Sequence, residues 1–209
     1  AEKVLPVTLT RSTLIARLQD GSELNGESVI DQRRDNLNVG IDYVYLVPKA
    51  YVYPPVLDAI ASADAIVLGP GDIYTSVLAN LLVEDVSEAI NASKAIKIHV
   101  CNLMTKPGES TGFKASDFVK AIIECLGTSD PLDYLIFNNS IFPEKLLQRY
   151  VSESQYPVEL DADECETVVR HVVGSPVLAA GVKLRHDPNA LAEAIMEITE
   201  ASGSAVIAD

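Results

Sequence analysis

The chain has 209 residues, 48% of them hydrophobic, and a formal charge of −14 from 16 Lys and Arg against 30 Asp and Glu. That length suits one domain with a sizeable core, and that composition excludes a disordered chain. The acidic balance repels nucleic-acid phosphates and anionic membranes, so neither is expected as a partner.

A small anion stays admissible, because backbone N–H groups make local positive sites against a global field. The three cysteines are Cys101, Cys125 and Cys165. Their odd number, wide spacing and lack of a Cys-x-x-Cys pair argue against a disulfide framework and a zinc site. They fit a reducing cytoplasm, the expected location. No apolar run reaches about 18 residues without a charge, and no signal peptide is expected at the start.

In chain order, Val4 to Thr8 reads as a short strand. Leu14 to Leu18 and Leu24 to Ile30 flank Asp20-Gly21, a hairpin signal. Ile41 to Val47 is a β-branched and aromatic strand stopped by Pro48. Pro55 opens a helix that turns Val56, Leu57, Ile60 and Ala61 inward. Ala65 to Leu68 reads as a buried strand, and a helix starts near Ile73. Val86 to Ala92 is helical, and Ile96 to Leu103 is the next strand.

Lys114 or Ser116 precedes a helix with Phe118, Val119, Ile122, Ile123 and Leu126 on one face, and Gly127 ends it. Tyr134 to Phe137 is a strand, Pro143 to Ser152 a helix, and Val158 to Leu160 a short strand. Asp187 caps a last helix that has Pro188 at its first position and Leu191, Ile195 and Ile198 on its core face. Strands alternate with helices, and several strands are continuously apolar. That is the pattern of an α/β fold with a mostly parallel sheet, helices on both faces and an antiparallel hairpin near the start. No repeat or linker divides residues 1–209, so a single α/β domain is expected.

In such sheets a ligand sits beyond the carboxyl ends of the strands. Two loops leave strand ends of this kind: Gly69-Pro70-Gly71-Asp72, and Asn102 to Glu109. Their glycines admit close approach to the main chain. A helix starting near Ile73 directs free N–H groups and a positive dipole end at the same space. Thr75 and Ser76 add hydroxyls, and Lys106 adds a charge. The plainer reading is a tight turn in which Asp72 caps the helix. Its carboxylate also competes with any phosphate for the same N–H groups.

Two long stretches carry a resemblance. They are GPGDIYTSVLANLLV, from Gly69, and IKIHVCNLMTKPGESTGFKASDFVKAI, from Ile96. With VLPVT near the start, DGSELNGES, and Arg185-His186-Asp187-Pro188, they resemble the CofD-like family that joins bacterial gluconeogenesis factors with 2-phospho-L-lactate transferases. The likeness is to the gluconeogenesis-factor branch. This chain departs from that branch's pattern at Asp72, where the branch has Ser, at Ala79, where it has Pro, and at Lys106, where it has Gln. The family's opening Gly-rich strand-turn-helix and Asp-Asp-Gly-Gly segment find no counterpart. The chain therefore resembles the carboxyl-terminal two-thirds of the family fold, and exposed sheet edges are expected.

The resemblance implies a Rossmann-like fold holding a UDP-sugar such as UDP-N-acetylglucosamine, without turnover. The implied role is regulation of carbon use, cell shape and wall synthesis. The alternative it implies is a phospholactate transferase acting on a deazaflavin alcohol. No catalytic residue, no metal and no cofactor beyond the nucleotide sugar is expected, and a homodimer is.

The candidate ligand-binding residues are Gly69, Gly71, Asp72, Tyr74, Thr75, Ser76, Asn102, Thr105, Tyr150 and Arg185. Tyr74 also reads as core. Asn80 reads as a brace for the loop, and Asn102 and Thr105 also read as ordinary turn formers. Tyr150 and Arg185 come from the resemblance; Arg suits a diphosphate because its planar fork gives paired hydrogen bonds. The competing reading of Arg185 is a salt bridge with one of the many acids. His99 reads as a hydrogen-bonded core histidine, and no histidine has a metal-ligand spacing.

Overall fold

The structure, a computed structural model, describes residues 3–206. The first strand pair forms where apolar alternation meets the Asp20-Gly21 turn: β1 (Thr13–Leu18) runs antiparallel to β2 (Glu23–Asn25). The second strand is much shorter than Leu24 to Ile30. Gly26 has a φ of 98°, which side chains resist, and it turns the chain into α1 (Glu27–Asp31). β3 (Ile41–Val47) pairs on the other side of β1. The antiparallel part is thus a separate three-stranded sheet, β2-β1-β3, and more than a hairpin appended to the parallel one. The strand expected at Val4 to Thr8 is reduced to one isolated bridge, Thr8 with Val52. Pro6 removes a donor there, and Val4 is 98% exposed.

α2 (Pro54–Ala61) follows and leads to β4 (Ala65–Leu68). A π-helical segment, Ile73–Leu78, runs directly into α3 (Ala79–Leu81). Next come α4 (Val86–Ala92), β5 (Ile96–Val100), α5 (Ala115–Leu126), β6 (Leu132–Asn138), α6 (Glu144–Ser152), α7 (Ala162–Val168), β7 (Val169–Ser175) and α8 (Pro188–Val206). Strands β4-β5-β6-β7 form a four-stranded parallel sheet in that order. β4 is an edge strand: Leu68 is buried but Val67 is 38% exposed, so the expected buried strand is open on one side. Val158 to Leu160 is not a strand. Its backbone reaches the sheet tips only through the bond from Val158 N–H to the Leu103 carbonyl.

Helices cover both faces of the parallel sheet. On one face α5 packs Phe118, Val119 and Ile122, each fully buried, against Leu135 and Cys101 in a core shared with the antiparallel sheet. Each such side chain contributes about 1.5–3 kcal/mol of burial. On the other face Ala194 and Ile198 of α8 meet Ile98, Val100 and Ile136. The Asp187 carboxylate accepts from the N–H groups of Asn189 and Ala190, the expected cap of α8. With both faces filled, the free ground lies at the strand ends.

Candidate functional site

The two loops singled out in the sequence leave adjacent strands. β4 and β5 pair in parallel with Leu68 opposite His99, so the Gly69 turn and Asn102 emerge side by side. Gly69 has a φ of 82°, and a Cβ there would stand 3.2 Å from the Val100 carbonyl oxygen. Asn102 Nδ2 donates to the Gly71 carbonyl at 2.9 Å and ties the tips together. His99, fully buried, uses Nδ1 on the Leu68 carbonyl at 2.9 Å, and burial depresses its pKa to about 4, so it is a neutral core histidine.

Beyond Asp72 the helix begins. The N–H groups of Ser76 and Val77 both donate to the Asp72 carbonyl, at 2.9 and 3.1 Å. Those of Ile73, Tyr74 and Thr75 precede the first intrahelical bond, as in any first turn. Asp72 stands at the N-cap position, yet its side chain makes no cap hydrogen bond. The expected capping role is therefore not filled.

The Asp72 carboxylate bonds Lys106 Nζ at 2.7 Å instead. The same ammonium bonds Asp31 and reaches Glu109 at 2.8 Å. The three carboxylates place oxygens within 4.8 Å of one another, and the cation between them is Lys106 itself. Burial works against that ammonium, but the three carboxylate hydrogen bonds outweigh it and hold its pKa above the usual range. Glu109 is 3% exposed, and burial pushes its pKa up while Lys106 pulls it back. Arg33 donates from one nitrogen to the Val39 carbonyl at 2.7 Å and the Gly108 carbonyl at 2.6 Å, pinning this loop to the antiparallel part.

These loops form one side of an open hollow of about 770 Å³. The other side comes from α6 and the segment before α8. Tyr150 accepts from the Leu184 N–H at 3.1 Å, which holds α6 against that segment. His186 Nε2 lies 3.2 Å from the Cys101 carbonyl and donates to it. Thr105 exchanges two bonds with Tyr156: its N–H donates at 2.7 Å, and its Oγ1 accepts from the Tyr156 N–H at 3.0 Å. Arg185 is exposed at the rim and makes no ion pair among the described residues.

Of the candidates, Gly71, Asp72, Ser76, Asn102, Thr105, Tyr150 and Arg185 line this hollow. Gly69 lines a separate hollow, with Val67 and Asn80. Tyr74 points into the core, edge-on to Phe113 with ring centres 6.4 Å apart. Thr75 is buried too, with Oγ1 at 3.5 Å from Glu109 Oε2. Asn80 braces the segment by donating to the Ser76 carbonyl at 2.6 Å. Sequence reasoning missed Leu184 and His186 in the lining, and Asp31 and Glu109 around Lys106. Glu109 was visible only as a loop acid, and nothing local signals that Asp31 lies 75 residues away from its lysine partner.

Residues 1–178 match the model of the family described as 2-phospho-L-lactate transferase CofD. The chain belongs to the CofD family. The "Putative gluconeogenesis factor" of Thermoanaerobacterium thermosulfurigenes is 42% identical over 200 residues, covering 95% of this chain and 61% of the relative. The Gluconeogenesis factor of Bacillus subtilis is 32% identical over 198 residues, covering 94% of this chain and 61% of its own. A crystal structure of a protein from Bacillus halodurans matches with a TM-score of 0.84 at 34% identity, over 93% of this chain and 61% of that one. The chain thus spans about three-fifths of the length of these relatives. No helix of the described residues is long and apolar enough to cross a membrane.

Proposed function

We propose that this CofD-family chain binds a nucleotide sugar of the UDP-N-acetylglucosamine type in the hollow at the tips of β4 and β5, and does so as a regulator of carbon metabolism, cell shape and wall synthesis in the cytoplasm. One observation carries the reading. Arg185, with no ion pair among the described residues of a chain of charge −14, lines one hollow together with the Gly71 turn and Asn102. A guanidinium at the rim of such a hollow attracts an anion, and its planar fork suits a diphosphate. First-turn N–H groups and their dipole favour negative charge from the other side. Tyr150 lines the same hollow as Arg185, and an aromatic ring in the lining suits a nucleotide sugar.

Calorimetric titration with UDP-N-acetylglucosamine, UDP and uridine tests this. The two diphosphates bind and uridine binds far more weakly; Arg185→Ala weakens the diphosphates about tenfold or more without lowering thermal stability. Absence of heat with every UDP-sugar, on folded protein, overturns the reading. The family's description favours a second reading, phospholactate transfer to a deazaflavin alcohol. Incubation with nucleotide-activated lactate and the alcohol, followed by mass spectrometry, decides between them. The expected homodimer is likewise a proposal, resting on the bare β4 edge, and light scattering measures it.

A further inference from the structure

Resting on that reading of the hollow, we propose that Lys106 is a positioning residue: it holds the Asp72 carboxylate away from the helix amides that a phosphate needs. Asp72 has the backbone of an N-cap, with φ −60° and ψ 126°. An Asp at that position ordinarily accepts from the N–H groups two and three residues on, here Tyr74 and Thr75. It does not, because its Oδ2 is bound to Lys106 Nζ at 2.7 Å.

The lysine is not free to follow the carboxylate back. Asp31 of α1 and the buried Glu109 hold the same ammonium from other directions. Glu109 is itself fixed by its N–H bond to the Lys106 carbonyl at 3.1 Å. The anchor is therefore three-sided, and only one side is the residue it restrains.

Asp72 and Lys106 are in direct contact. A carboxylate one residue from the first turn is a built-in rival for any phosphate, present at high effective concentration. A neutral residue at 72 needs no restraint, and an acid there does. The lysine neutralises the rival and removes it from the N–H groups together.

The test uses inorganic pyrophosphate, UDP-N-acetylglucosamine and uridine as probes, with Lys106→Gln, Lys106→Arg, Asp72→Ala and the double variant Asp72→Ala/Lys106→Gln. Lys106→Gln weakens both phosphate probes about tenfold, which is about 1.4 kcal/mol. The double variant recovers to within about threefold of the parent, Lys106→Arg keeps most of the affinity, and uridine responds to none of them. Equal losses in Lys106→Gln and the double variant overturn the proposal, because the lysine would then act on the phosphate directly. A ligand-free readout separates this from the nucleotide reading. In Lys106→Gln the amide protons of Tyr74 and Thr75 shift downfield and exchange more slowly as Asp72 caps them, and Asp72→Ala abolishes both changes. Unmoved amides overturn the proposal even where UDP-sugar binds. Moved amides with no binding of any phosphate uphold the restraint and sink the nucleotide reading alone.

Discussion

Replacing Lys106 by Met keeps the aliphatic stem and removes the ammonium from among three carboxylates. The cost is set by how well water can take over. Asp31 and Asp72 have side chains 40% and 38% exposed, and each pair contributes about 0–1 kcal/mol. Glu109 is different, with a side chain only 1% exposed. Removing the partner of a buried charge costs about 3–5 kcal/mol. Lys106 is itself a quarter exposed, so water reaches the site and the lower end, about 3 kcal/mol, is expected.

The pH dependence has a definite sign. The folded pKa of Glu109 lies above its ordinary 4.5, raised first by burial. Such an acid binds its proton more tightly when folded. Its contribution to stability is full below about pH 4.5 and is lost as the pH rises through the folded value. Removing Lys106 raises that value further, so the deficit of the variant is largest near pH 7 and narrows as the pH falls toward 4.5. Urea unfolding followed by circular dichroism at pH 7 and pH 5 measures both numbers. Millimolar Mn²⁺ or Ca²⁺ at pH 7 stabilises the variant more than the parent, because the carboxylates then lack their internal cation. A deficit under about 1 kcal/mol at pH 7, or one that does not shrink at pH 5, would mean that Glu109 is not a buried charge held by Lys106.

Two further outcomes follow from the core. Phe118→Ala, at a fully buried ring that meets Phe113 edge-on at 5.3 Å, lowers unfolding free energy by about 3–5 kcal/mol, and denaturant titration reads the loss. Burial raises the thiol pKa of Cys101, of Cys165 to about 12 and of Cys125 to about 11, so at pH 8 a disulfide-exchange reagent labels the folded chain slowly and the urea-unfolded chain at once.

The sequence showed the elements whose burial is periodic. α5 and α8 declare a helical stripe between clear stops, and β3 and β4 are short apolar runs with turns on both sides. What it hid has a common cause in the sheet's outer strand. β7 contains Arg170, His171 and Gly174 and lies at the edge, with exposed positions that erase the apolar run. α7, just before it, is short and acidic and buries only Cys165. Leu24 to Ile30 misled because alternation continues past Gly26, where the backbone cannot. At the site, the Gly-Pro-Gly turn and the Asn102 loop were legible because each is local. The Lys106 cluster was not, because its members meet only when α1 is folded against the parallel sheet.

A crystal structure of the chain with UDP-N-acetylglucosamine is the sharpest check on the nucleotide-sugar site. The diphosphate is expected between Arg185 and the Gly71 turn, with Asp72 still bound to Lys106. Density for the ligand elsewhere, or a hollow closed by Arg185 paired to an acid, would contradict it.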